Sequence, residues 1–140
     1  MSGILIRDAD PSDLAFILDS WLKRAVHFRD PHIANDHTWF VNYRPVVERL
    51  LQTAECKVAA YADMPHQIFG YIVYEPGIVH WIFVKKIMQN MGIANKLLSE
   101  TVGLEKDFTV THYTDDLSRL YSKRKITYNP LLLMRIERWN

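Results

Sequence analysis

The chain has few of the features that would place it outside a reducing compartment or inside a membrane. It holds one cysteine, Cys56, among 140 residues, so no disulfide can close within it, and the sequence reads as that of a cytoplasmic protein. No apolar run approaches the roughly 20 residues that cross a bilayer. The opening MSGILIRDAD has neither the basic start nor the apolar stretch of a secretory signal. Repeats, low-complexity tracts and linkers are missing, so the expectation is one domain over residues 1–140 built on a single core.

Charge of either sign is also short in sum, since the formal net charge is only +1. Its distribution is uneven: residues 1–84 hold 7 Lys and Arg against 10 Asp and Glu, and residues 85–140 hold 10 against 6. An anionic partner is therefore better sought in the second half, although many of those cations will simply be solvated.

What is present reads as alternating helices and strands. A short β-branched run, GILIR (3–7), precedes DADPSDLAFILDSWLKRAVHF, where Asp10 is a cap and Pro11 the first helical position. Leu14, Ile17, Leu18, Trp21 and Ala25 recur at helical spacing. The polar stretch RDPHIANDHT (29–38) predicts a loop, and RPVVERLLQTA a second helix starting at Pro45. CKVAAYA (56–62), QIFGYIVYE (67–75) and IVHWIFV (78–84) predict an antiparallel meander closed by the turns DMPH and EPG. A helix to about Gly103, the strand DFTVTHYT, the helix DDLSRLYSKRK and the extended segment ITYNPLLLMRIERW, interrupted at Pro130, complete a mixed α/β chain.

Glycine is scarce, five in all, which gives weight to the one in QNMGIA (89–94), between an apolar strand and a helix. A helix N-terminus leaves backbone N–H groups unpartnered and partly positive, so small residues there permit a phosphate to approach; they also permit close helix–sheet packing. Neither the dinucleotide fingerprint nor the P-loop fits this spacing. VKKIMQNMGIANKLL (84–98) does resemble the central motif of the Gcn5-related N-acetyltransferases (GNAT): a strand ending in Val, then QxxGxA (Gln89, Gly92, Ala94) opening a helix with paired leucines. The element order of that superfamily is similar to the whole chain, from LIRDADPSDLAFI to RLYSKRKITYNP. Compact members of this kind resemble those carried by phages.

The resemblance implies a mixed, mostly antiparallel sheet of about six to seven strands with about four helices, splayed between the fourth and fifth strands. It implies acetyl-CoA as co-substrate, with no metal. The pyrophosphate would rest on the backbone of Gln89, Asn90, Met91, Gly92, Ile93 and Ala94, and the pantetheine arm would pair with Ile82, Phe83 and Val84. Gln89 stands where the family more often has Arg, and Lys86 where it has Pro; Lys85, Lys86 or Lys96 would then supply the cation. The general acid falls to Tyr121 by the same resemblance. For the base, the residues leave His80 and Glu75 open. His80 would share its direction with Ile82 and Val84.

His27, Asp30, His32, Asp36 and His37 crowd one loop but match no zinc spacing. In the resembling family this region lines the acceptor pocket, so His27, Arg29, His32, Trp39, Phe40 and Tyr43 are candidates for substrate contact. The implied activity is transfer of an acetyl group to an amine, on a small molecule, a protein or a nucleobase. A CoA-binding module without turnover is the alternative that Gln89 motivates, and a nucleic-acid binder using Lys123, Arg124 and Lys125 is a further one. Exposed edges of a small mixed sheet are compatible with a homodimer.

Overall fold

Arg7 ties the first strand to the start of the first helix and to the distant Pro65. It lies on β1 (Ile4–Asp8), and its guanidinium donates to both carboxylate oxygens of Asp13 at 2.8 and 3.1 Å and to the Pro65 carbonyl at 2.8 and 3.1 Å. Asp13 also accepts from the Asp10 N–H, while Asp10 accepts from Ser12, so a capping box opens the 3-10 turn Pro11–Asp13 that runs directly into α1 (Leu14–Ala25). These relationships come from a computed structural model, which describes residues 3–29, 32, 35–103, 106–114 and 126–134.

The helix expected from Pro45 begins nine residues earlier. α2 spans Asp36–Thr53, with Pro45 inside it. The cause is Asn35, whose side chain accepts from the Thr38 N–H at 2.8 Å and starts the helix ahead of the proline. Part of the predicted loop is therefore helical. Pro45 is exposed and sacrifices one backbone hydrogen bond there.

β2 (Glu55–Tyr61), β3 (Met64–Glu75) and β4 (Ile78–Val84) form the predicted meander. α3 (Ile93–Ser99) follows, then the short strands β5 (Phe108–Val110) and β6 (Ile126–Tyr128). The sheet has six strands in the order β1-β2-β3-β4-β5-β6. The first three pairings are antiparallel, and β4–β5 and β5–β6 are parallel. Residues 130–134, expected to be extended, form a 3-10 turn instead. Asn129 accepts from the Leu131 N–H and Pro130 opens the turn, so the cap overrides the apolar run.

Each face of the sheet carries its own apolar layer. Val58, Ala59 and Ala60 show why: the middle residue packs with α3 while its two neighbours pack with α1 and α2, the period of two of a strand buried on both faces. On the α3 face, Ile93, Leu97 and Leu98 meet Ile72, Val79, Ile82 and Val84. On the other, Ile17, Trp21, Val47 and Leu50 meet Tyr71, Val73 and Trp81. Trp21 stacks on Trp81 with ring centroids 5.3 Å apart and planes within 8°, a pair worth about 1 kcal/mol beyond its burial. Leu14, at the start of the predicted stripe, is 39% exposed. Among the described residues, no helix is long and apolar enough to cross a membrane.

Candidate functional site

β4 is regular except at one residue. Val73 of β3 pairs with Trp81, but Tyr74 pairs with Val79, so His80 is an extra residue opposite no partner. A bulge of this kind re-aims the side chain it carries. Val79, Ile82 and Val84 accordingly share the α3 face, which a straight strand could not give to residues three apart. The bulge also ends the pairing to β5, which reaches only Ile78 and Val79.

Beyond that point β4 has an edge unpaired by any other described strand. Lys85 N–H bonds the Phe69 carbonyl at 2.8 Å. With the register of Tyr71 to Phe83, this bond sets the phase of the ladder. Phe83 turns its N–H and C=O toward β3, and Ile82 and Val84 turn theirs toward the β5 side. The Val84 carbonyl accepts from the Gln89 side-chain amide at 3.3 Å. Gln89 is thus folded back along the edge.

The junction that follows is built on two left-handed residues, Asn90 at φ 68° and Gly92 at φ 77°. A Cβ added to Gly92 would meet nothing within 4 Å, so glycine is favoured there by conformation rather than by space. Gly92 is the N-cap of α3 and no side chain caps the helix; the first intrahelical bond shown is Lys96 N–H to the Gly92 carbonyl. Ile93 is buried beneath, Ala94 packs against the same cluster, and Met91 is exposed. Of the candidate cations, Lys85 sits 5.0 Å over the Phe16 ring, while Lys86 and Lys96 are exposed.

The bulge aims His80 into a chain of hydrogen bonds. Its Nε2 is 2.5 Å from the Glu75 carboxylate and its Nδ1 3.0 Å from the Thr111 hydroxyl. Thr111 Oγ1 is 3.0 Å from His112 Nδ1, and His112 Nε2 is 2.6 Å from the Tyr43 hydroxyl. Tyr43 accepts from Trp21 Nε1–H at 2.9 Å. His80 and Thr111 are each 1% exposed, whereas the Glu75 side chain is 28% exposed. Burial drives the His112 imidazole down to about 4, against a hydrogen bond it donates to the His80 carbonyl and with the help of charge at His80, and it raises the Tyr43 phenol despite the bond from Trp21. His112 is therefore neutral at physiological pH.

This architecture recurs among solved structures. A possible acetyltransferase from Clostridium difficile 630 is 16% identical, with a TM-score of 0.57, over 90% of this chain and 93% of that one. YjaB from Escherichia coli, in its apo form, is also 16% identical, with a TM-score of 0.51, over 71% and 67%. The chain has the GNAT fold. A protein assigned to the GNAT acetyltransferases from Desulfovibrio desulfuricans is 20% identical with a TM-score of 0.45, and the chain spans 62% of its length. No family model matches the sequence, and no curated protein matches it.

Within the GNAT fold, the splay expected between the fourth and fifth strands falls where β5 pairing stops after Val79. Of the residues read from sequence as acceptor contacts, Trp39, Phe40 and Tyr43 form one aromatic group. Tyr43 joins the His112 chain. Trp39 is buried, stacked on Tyr43 at 4.8 Å and edge-on to Phe40 at 4.7 Å. His27 and His32 are exposed, and Arg29 is paired with Asp36. Among the described residues no group of three His, Cys, Asp or Glu is placed to hold a metal ion. Tyr121 and the basic residues Lys123, Arg124 and Lys125 lie outside the described residues.

Thr111 and His112 were not singled out by sequence reasoning. The signal was there: two hydrogen-bonding side chains in succession at the end of an apolar strand, FTVTH, have to find partners if that strand is central.

Proposed function

We propose that this chain is an acetyl-CoA-dependent N-acetyltransferase in which an amine attacks the thioester directly. The observation that carries the reading is the edge of β4. It loses its β5 neighbour at the His80 bulge, and it leads within a few residues to an uncapped left-handed junction. An extended pantetheine arm can add to such an edge as a strand does, using main-chain bonds that tolerate apolar side chains. Ile82 and Val84 are the residues whose backbone groups face that side, with Phe83 between them. The pyrophosphate would rest on the backbone of Gln89, Asn90, Met91, Gly92, Ile93 and Ala94, where the N–H groups that open α3 have no side-chain cap.

The chemistry asks for a neutral amine. A lysine-like amine titrates near 10.4, so at neutral pH a base has to take its proton before attack. Glu75 and His80 stand at the bulge, just before the unpaired edge, and one of the two accepts that proton. A backbone N–H on the open side of β4 would polarise the thioester carbonyl. Tyr121 is the candidate to protonate the leaving thiolate. The acceptor is an amine on a small molecule, a protein or a nucleobase.

A second reading, a CoA-binding module without turnover, is favoured by one feature. Gln89 lacks the positive charge that the motif more often supplies, and its amide is spent on the Val84 carbonyl. Thermal stabilisation by acetyl-CoA, followed by thiol release with a panel of polyamines, peptides with free amino groups and nucleosides, separates the two. Binding with release supports the transferase, and binding without release across the panel supports the module. No stabilisation by acetyl-CoA rejects both.

A further inference from the structure

We propose that Thr111, His112 and Tyr43 are positioning residues that hold His80 as its Nε2–H tautomer, donating to Glu75, so that the Glu75 carboxylate is the proton acceptor of the site. The assignment of a base rests on the acyltransferase reading above; the tautomer does not.

The direction of every bond follows from the two ends. Trp21 Nε1 can only donate, so the Tyr43 oxygen accepts from it at 2.9 Å. The Tyr43 proton then belongs to the 2.6 Å contact with His112 Nε2, because no other acceptor among the described residues partners that hydroxyl. A neutral His112 that accepts at Nε2 carries its hydrogen on Nδ1, which donates to Thr111 Oγ1 at 3.0 Å. The Thr111 hydroxyl, filled on its acceptor side, has two acceptors in reach, His80 Nδ1 at 3.0 Å and the His80 carbonyl at 3.5 Å, and gives its hydrogen to the nearer. A neutral His80 that accepts at Nδ1 carries its hydrogen on Nε2, facing the Glu75 carboxylate at 2.5 Å. The carboxylate can only accept while it is ionised. With the Thr111 hydrogen on that shorter contact, one polarity runs from Trp21 to Glu75, and no link has to donate and accept the same hydrogen.

The consequence separates the two candidates for base. A base must present a lone pair to the incoming amine. Both nitrogens of His80 are committed, one accepting from Thr111 and one donating to Glu75, and the ring is 1% exposed. Glu75 accepts from His80 through Oε2, is 28% exposed, and presents its carboxylate at the turn into β4. The amine proton moves to Glu75, whose negative charge it neutralises, and the freed nitrogen lone pair attacks the thioester. His80 is a donor that orients the carboxylate, in the way an outer partner fixes a ligand or a base.

Nitrogen NMR of isotope-labelled histidines, recorded without acetyl-CoA, reads the tautomers directly. The expected spectrum has His80 protonated on Nε2 alone and His112 on Nδ1 alone; the opposite tautomer at either ring, or a doubly protonated His80 at neutral pH, overturns the proposal. Thr111→Val removes the hydroxyl at nearly constant shape and should mix the His80 tautomers, while Thr111→Ser should restore the parent spectrum. An unchanged spectrum in Thr111→Val refutes the positioning role. Should that variant fold poorly, Tyr43→Phe withdraws the donor at the far end and should release His112 from its Nδ1–H form. With an amine that supports thiol release, Glu75→Gln should lower kcat by about 100-fold or more and leave acetyl-CoA binding intact. Full turnover in Glu75→Gln rejects the base while the tautomer chain stands, and a parent protein without turnover rejects the acyltransferase reading alone.

Discussion

If acetyl-CoA lies with its pyrophosphate over the α3 junction, a negative side chain at Gly92 should cancel its binding for a reason that can be isolated. Gly92 has φ 77° and open space around its absent Cβ. Any L-residue there costs about 1–2 kcal/mol of backbone strain, with no clash added, so Gly92→Ala and Gly92→Glu should lose stability alike. For a chain of this size, that is a fall in Tm of roughly 3–8 °C in each. Acetyl-CoA at about 100 times its Kd adds about 2.7 kcal/mol to the folded state. In Gly92→Glu a carboxylate about 5 Å from a phosphate charge opposes binding by about 3 kcal/mol at an effective dielectric near 20. The two terms are equal in size. The ligand-induced rise in Tm should therefore persist in Gly92→Ala and vanish in Gly92→Glu, measured by differential scanning fluorimetry at one acetyl-CoA concentration. A rise in Gly92→Glu as large as that in Gly92→Ala would mean that no phosphate rests at this junction.

Gln89→Arg should release the Val84 carbonyl and restore a cation beside the pyrophosphate; calorimetric titration is expected to show severalfold tighter acetyl-CoA binding that weakens with salt more steeply than the parent's, and equal affinity at low salt would exclude this role. Burial of the Asp13 carboxylate opposes its ionisation, but the Arg7 hydrogen bonds, the Asp10 N–H and the Arg7 charge together hold its pKa below the usual value of 3.8. That depressed value makes the stabilisation present above the unfolded-state pKa and lost as pH falls through the folded one. Arg7→Met should cost about 3 kcal/mol near neutrality and flatten the rise of stability with pH between about pH 3 and pH 5, because burial is then opposed only by the Asp10 N–H and the His66 charge; an unchanged urea midpoint profile across that range would refute it. The Cys56 thiol is pushed up to about 12 by burial first and then by Asp13 and Asp8, so alkylation of the native protein at about pH 8 should be far slower than after unfolding, as followed by mass spectrometry.

The parts of the fold that follow from local chemistry were legible in the sequence. Asp10 with Pro11 announces α1, the pattern of CKVAAYA, QIFGYIVYE and IVHWIFV announces the meander, and Gly103, at φ 93°, closes the turn after α3 as a C-terminal glycine should. Where two local signals competed, the weaker-looking one decided. Pro45 looks like a helix start, yet Asn35 reaches the Thr38 N–H and begins α2 earlier, because one missing hydrogen bond on an exposed face costs less than leaving the segment 36–44 without its own. Asn129 with Pro130 likewise turns a run of leucines that reads as a strand. The junction itself was legible as a place for bare backbone, though the reason is the left-handed φ of Gly92 more than clearance.

The polar chain behind the site was not legible, and the obstacle is geometric. A period of two assigns every residue of IVHWIFV to a face, and it assigns His80 to the face of Ile82 and Val84. One extra residue breaks that parity at His80 and leaves no trace in composition or spacing, since the evidence for it lies in the pairing of Val73 and Tyr74 on another strand. The same break ends the contact with β5 after Val79 and brings Thr111 and His112 to the point where β4 has an edge unpaired among the described residues. The bulge is thus the common origin of two features that sequence reasoning treats as unrelated: the strand edge offered to an extended ligand, and the buried imidazole beside a carboxylate. If both serve acyl transfer, removing the bulged residue by deleting His80 should close the β4–β5 gap and remove acetyl-CoA binding together with turnover. His80→Asn keeps the extra residue and the edge, and should lower turnover while leaving acetyl-CoA binding intact.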